Sequence, residues 1–171
     1  MYKRTNDQNP HLSFSLISVL RSRPSAEAKI AGSPEFAGIN GTVRFYQTGV
    51  GVIVLSEVNG LPEPSGYCDF PVFGFHIHGG SACRGTAEDP FGETLTHYDP
   101  YGCDHPFHAG DLPPLFGNRG YSVSLVLTDR FSVDEIIGKT VVIHDMRDDF
   151  TTQPAGDSGR KIACGEIRKF K

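Results

Sequence analysis

No run of about 18 apolar residues occurs anywhere in the 171 residues, which excludes a helical membrane span. Internal repeats and low-complexity tracts are missing as well. Long helical periods are also lacking, and 20 Gly and 12 Pro break the chain into short segments, unlike a helical bundle. Surplus positive charge is absent too: a net charge of −4 and a pI near 5.9 argue against a nucleic-acid partner. Between Gly85 and Asn118 there is no Lys or Arg at all, while Glu88, Asp89, Glu93, Asp99, Asp104 and Asp111 all fall there. Such a stretch repels itself. It either stays solvated or meets a cation, and it also holds His97, His105 and His108.

What is present fits one domain with an apolar core, at 38% hydrophobic residues. Residues 1–26 read as an N-terminal extension, flexible and basic through Lys3, Arg4, Arg21 and Arg23. A secretory reading of 12–20 is weakened by Ser13, Ser15 and Ser18 and by the arginines that follow. A cytoplasmic setting is therefore expected, with export as the alternative. Residues 27–171 form the expected domain. Strands are predicted over 29–32, 41–47, 50–58, 71–78, 121–127, 139–144 and 161–167, from alternation and β-branched content between turn signals. Ser132 and Glu135 match a capping box for one short helix, which Gly138 ends. The fold class is all-β, a sandwich or barrel of about eight short antiparallel strands, with long loops over 79–116 and 145–160. Loops of that length in a compact domain are usually functional.

The histidines carry the chemistry. His76 and His78 are two apart on a predicted strand, so both rings share a face opposite Phe75 and Ile77. They are either a two-point metal chelate or an exposed polar pair. His97, His105, His108 and Asp111 supply three imidazoles and a carboxylate, a four-coordinate set suited to a structural Zn²⁺. The competing reading is a polar, proline-rich surface loop. His144 ends a predicted strand, with Asp148 and Asp149 shortly after; a carboxylate near metal-bound imidazoles commonly fixes their tautomers.

GFHIH at 74–78, HYDP at 97–100, HAGDL at 108–112, IIGKTVVIH at 136–144, Asp148-Asp149 and ACG at 163–165 stand in one order along the chain. In that order they resemble the Cu,Zn superoxide dismutases, over about residues 28–168. The resemblance implies a Greek-key β-barrel with copper and zinc as cofactors. It implies copper ligands His76, His78, His97 and His144, and zinc ligands His97, His105, His108 and Asp111, with His97 shared between the metals. Asp148 matches the aspartate that links one copper histidine to one zinc histidine. The implied activity converts superoxide to O2 and H2O2 by Cu(II)/Cu(I) cycling, with His97 taking up and giving back a proton. A non-enzymatic copper- and zinc-binding domain on the same barrel is the alternative.

The family's substrate-guiding arginine falls at Lys161, which keeps the charge but loses the planar fork; Arg160 stands beside it. Lys161 is expected to guide and dock the anion, with Arg160 as an aid or as the alternative guide. The segment between His105 and His108 is short, which makes His105 the zinc ligand to check. Four cysteines allow three complete pairings, or free thiols in a reducing compartment. The resemblance implies the pair Cys83 and Cys164, leaving Cys68 and Cys103 as a second pair, or Cys103 as a further zinc ligand. Homodimer and monomer both stay open, because dimer contacts vary within the family.

Overall fold

The computed structural model describes residues 15–64, 66 and 69–171. Its strands are β1 (Ala26–Gly32), β2 (Asn40–Thr48), β3 (Gly51–Asn59), β4 (Val72–Phe73), β5 (Phe75–His78), β6 (Leu115–Phe116), β7 (Tyr121–Thr128), β8 (Thr140–His144) and β9 (Lys161–Lys169). Two short α-helices, α1 (Leu16–Arg21) and α2 (Val133–Ile136), and two 3-10 turns, Pro34–Phe36 and Gly92–Thr94, complete the regular structure of the described residues. Seven strands form one antiparallel sheet in the order β5-β8-β9-β1-β2-β3-β7, and β4 pairs with β6. β3 skips three strands to pair with β7, and β5 skips two to pair with β8. These crossovers make the Greek-key arrangement, and the sheet curls into a barrel around one core.

Period-2 alternation builds that core. Val43 and Phe45 of β2, Val52, Val54 and Val58 of β3, Phe75 and Ile77 of β5, and Val141 and Ile143 of β8 all point inward. Each such large side chain contributes on the order of 1.5–3 kcal/mol on burial. On the outer face Arg44 reaches Glu27 at 3.3 Å and Glu57 at 3.0 Å across neighbouring strands. The capping box forms as expected: the Glu135 carboxylate accepts the Ser132 N–H at 2.6 Å.

The predicted strand 71–78 divides at Gly74. Gly74 donates to the Met146 carbonyl (2.7 Å) and accepts from the His144 N–H (2.9 Å), so its backbone bonds the 145–160 loop. A Cβ there would come within 2.8 Å of the Ser158 side chain. β6 has two residues and no periodicity to read. Of the N-terminal extension, residues 1–14 lie outside the described residues. Its described part forms α1, capped by Ser15, and β1 starts at Ala26, one residue before the expected boundary.

Cys83 and Cys164 form a disulfide with a Cα–Cα distance of 5.6 Å. It ties the 79–116 loop to β9, beside a small cluster of Phe91, Val142 and Cys164. The bridge closes 81 residues of chain, and long loops give large losses of unfolded-state entropy. Cys164→Ser is expected to lower stability by about 2–4 kcal/mol. The check is urea denaturation of the metal-free variant and parent; equal midpoints would refute it.

Candidate metal centre

β5 lies at the edge of the sheet, with β8 on one side only. The 79–116 loop supplies the missing partner. Ile77 N–H donates to the Gly110 carbonyl (2.9 Å), Tyr98 N–H to the Ile77 carbonyl (2.8 Å), and Gly79 N–H to the Thr96 carbonyl (2.9 Å). Single β-bridges pair His78 with His97 and His76 with Asp111. Gly110 permits this approach, because a Cβ there would lie 2.3 Å from the Ile77 carbonyl oxygen. The loop therefore buries the face that alternation alone leaves half open. His76 is 0% exposed and His78 2%, which overturns the exposed-pair reading.

Two donor sets result. His76, His78, His97 and His144 form one and His97, His105, His108 and Asp111 the other, each with its donor atoms within 4.8 Å of one another and all residues buried. His105 is included, so its short segment does close. His97 belongs to both sets. Its Nδ1 lies 2.7 Å from Asp111 Oδ1, and its Nε2 turns to the other side with no hydrogen-bond partner among the described residues.

The proton positions follow from the acceptors. His78 Nδ1–H donates to the Leu95 carbonyl (2.9 Å) and His144 Nδ1–H to the Gly159 carbonyl (3.3 Å), since a carbonyl only accepts. Both Nε2 atoms are then bare, and they face each other at 3.3 Å. The Asp148 carboxylate accepts from His76 Nε2 and from His105 Nε2, each at 2.9 Å. This leaves Nδ1 of His76 and of His105 bare, and neither finds a hydrogen-bond partner among the described residues. The Nδ1 atoms of His105 and His108 lie 3.2 Å from Asp111 Oδ2 without hydrogen-bond alignment. Buried, converging lone pairs without partners are costly unless a cation joins them. All-imidazole and imidazole–carboxylate sets suit copper and zinc respectively.

The charge states agree. Burial brings the His76 ring down to about 4, against the pull of Asp148 and with the help of His97. Burial first and the His76 ring second bring His144 to about 3, and burial holds His78 well below the usual imidazole range. Burial alone would raise Asp148, but hydrogen bonds from His76, the Phe150 N–H and His105 bring it to about 2. Asp111 is likewise lowered, as its histidine neighbours outweigh its burial. Neutral rings and ionised carboxylates are the protonation states that metal ions require. Asp149 plays no part at the rings; its carboxylate caps the Thr151 and Thr152 N–H groups, both at 2.8 Å.

Lys161 begins β9, opposite His144 in the ladder. Its ammonium donates to the Phe91 carbonyl (3.3 Å) and lies 3.5 Å from Asp89 Oδ2. Arg160 is engaged elsewhere: its guanidinium contacts Asp145 at 2.8 Å and Glu35 at 2.9 Å and covers the Phe36 ring. Cys103 is exposed, outside both donor sets, and forms no bridge among the described residues; Cys68 lies outside them. The Leu95 and Gly159 carbonyls left no mark in the sequence reading, because every residue has a carbonyl. Gly156 also escaped it. It has φ 68°, and a Cβ there would lie 2.0 Å from Asp148 Oδ1.

A Greek-key barrel carrying a paired-metal donor set that shares one imidazole defines a redox metalloprotein with a structural second ion. The comparisons agree. The family model for copper/zinc superoxide dismutase matches residues 39–167, and the chain belongs to that family. A Cu-Zn superoxide dismutase of Photobacterium leiognathi is 31% identical over 142 residues, 75% of this chain and 78% of that protein. One from Legionella pneumophila is 31% identical over 135 residues, 75% of this chain and 77% of that protein. The solved Cu/Zn superoxide dismutase from Brucella abortus superposes with a TM-score of 0.69 at 25% identity, over 82% of this chain and 98% of that one. The activity is superoxide dismutation, an oxidoreductase reaction that uses copper and zinc.

Asp148→Asn replaces an acceptor for both rings with a group that can accept on one side only. Metal affinity at both sets is expected to fall by about 10–100-fold, as read by chelator competition. Affinities equal to the parent's would reject the linking role.

Proposed function

We propose the following division of labour for the dismutation of superoxide. His76, His78, His97 and His144 hold copper, and His97, His105, His108 and Asp111 hold zinc. Copper, when bound, supplies the one-electron chemistry that takes superoxide alternately to O2 and H2O2, while zinc supplies a fixed positive charge. The observation that carries this reading is the His97 ring, whose two nitrogens face different donor sets.

The chain's own residues account for the remaining requirements. His97 is the proton carrier: Nε2 takes a proton from solvent in one half of the cycle and yields it to the peroxide product in the other, the second proton of H2O2 coming from solvent. Losing both ring protons becomes accessible only when a cation stands at each nitrogen. The Asp111 side keeps the ring in place during the exchange. Asp148 orients His76 and His105 together, so neither donor set can shift without the other. The Leu95 and Gly159 carbonyls hold His78 and His144 in the tautomer that offers Nε2.

Lys161 is the guide for the anion. Positive potential near a site raises the arrival rate of a negative substrate, and salt weakens the effect. The side chain is 18% exposed and is held beside the Phe91 carbonyl, so the charge stays close to His144. The clamp of Glu35 and Asp145 on Arg160 supports assigning the role to Lys161 alone.

Metal analysis of the freshly purified protein beside its dismutation rate tests the whole reading. About one copper and one zinc per chain with activity is expected; full copper without activity would overturn it. Lys161→Ala is expected to slow the reaction about tenfold at low ionic strength and to flatten its salt dependence. An unchanged rate there would remove Lys161 from the guiding role.

A further inference from the structure

The acidic stretch 85–118 gives Asp111 to the zinc set, but Glu88 and Asp89 remain unused by the metal centre. Asp89 lies in a tight turn that fixes it from several sides. Its N–H donates to Thr86 Oγ1 (3.1 Å), and its carbonyl accepts from the N–H groups of Thr86 (2.9 Å) and Gly92 (3.1 Å). Its Oδ1 accepts the Phe91 N–H at 3.2 Å. One carboxylate oxygen is therefore spent on the turn, and the other, Oδ2, stands 3.5 Å from Lys161 Nζ. The turn itself is anchored, since the Phe91 ring packs on Val142 and Cys164 of the barrel wall. The Phe91 carbonyl and the Asp89 carboxylate thus come to Lys161 from one rigid segment.

Of the two cations lining one surface cavity, Arg160 and Lys161, Lys161 has the weaker hold. A surface cavity of about 560 Å³ is lined by Glu35, Glu88, Asp89, Arg160 and Lys161 among others. Arg160 is already taken by Glu35 and Asp145 at 2.9 and 2.8 Å. Lys161 has one carboxylate, at the longer distance, and that carboxylate is 53% exposed. Such an exposed pair contributes little to stability. Its effect on an approaching anion is larger, because the field of a lysine with a carboxylate beside it falls off faster than that of a free ammonium.

We propose that Asp89 is a positioning residue for substrate capture: it holds the Lys161 ammonium beside the Phe91 carbonyl and damps the positive field this lysine presents to superoxide. The proposal rests on the reading of Lys161 as the guide. It assigns to this chain a built-in brake on capture, set by one side chain of the 79–116 loop. An ion pair that only staples the loop would leave anion affinity at the copper site unmoved.

The test uses the metal-loaded, disulfide-bonded protein with Asp89→Asn, which keeps Oδ1 for the Phe91 N–H and removes the charge. Asp89→Ser, which also accepts that N–H, is the second variant. Azide, a small monovalent anion that ligates Cu(II), is titrated by visible absorbance at low ionic strength. Both variants are expected to bind it about two- to threefold more tightly. The dismutation rate should rise by a similar factor and fall more steeply as salt is added. Acetylation of the Lys161 amine, followed by mass spectrometry, should be faster. Azide affinity and labelling equal to the parent's overturn the proposal, as does weaker azide binding. Lys161→Ala is the control for the underlying reading. If it leaves azide affinity and rate unchanged, the guide itself falls; if it lowers both while the Asp89 variants match the parent, only the brake falls.

Discussion

An edge strand exposes a row of backbone donors and acceptors that must find partners, and in this protein β5 finds them in a loop. The Ile77 N–H and carbonyl are both satisfied there, by Gly110 and Tyr98. Leaving such groups buried and unpaired would cost on the order of 1–3 kcal/mol each. That requirement brings His97 and Asp111 alongside His78 and His76. The two donor sets are thus a consequence of closing a sheet edge, and most other features of the site follow from keeping that loop in place. The Cys83–Cys164 bridge fastens its start to β9. Arg130 holds its far part, donating to the Pro106 carbonyl (3.3 Å) and the Asp111 carbonyl (3.4 Å).

Burial then decides the electrostatics. Burial keeps the His76, His78 and His144 rings neutral, and the donors around Asp111 and Asp148 keep those carboxylates ionised. The barrel wall and the loops together enforce both conditions without a lysine or arginine inside the donor sets. Asp148 is the point where the second loop joins the first, and Gly156 lets the backbone pass against it. Fold and metal centre are therefore coupled: the contacts that order the 79–116 and 145–160 loops are the contacts that orient the rings.

Much of this was legible beforehand. Alternation in β2 and β3 is visible because each strand has one face on the core, whereas the alternating Val123, Leu125 and Leu127 of β7 are exposed; the Ser132–Glu135 box is a local hydrogen-bond pattern. The histidines were legible as ligand types at suitable spacings, and as members of a family pattern. The division of 71–78 at Gly74 was not, since it depends on a hydrogen bond to Met146 from the far end of the chain. The full burial of His76 and His78 was equally hidden, because alternation marks a face as polar without saying what will cover it. Lys161 could be placed by its distance from Cys164, whereas its partner Asp89 stands 72 residues away and shares no local pattern with it.

Residue order alone sets the secondary-structure periods and the donor chemistry, because both depend on residues near one another in the chain. Which nitrogen of His76, His78, His105 and His144 is bare, which carboxylate joins the two sets, and which of Arg160 and Lys161 is clamped by two carboxylates emerge in the fold. Those outcomes are set by through-space hydrogen bonds and burial between segments that are distant in the chain, where no local spacing records them.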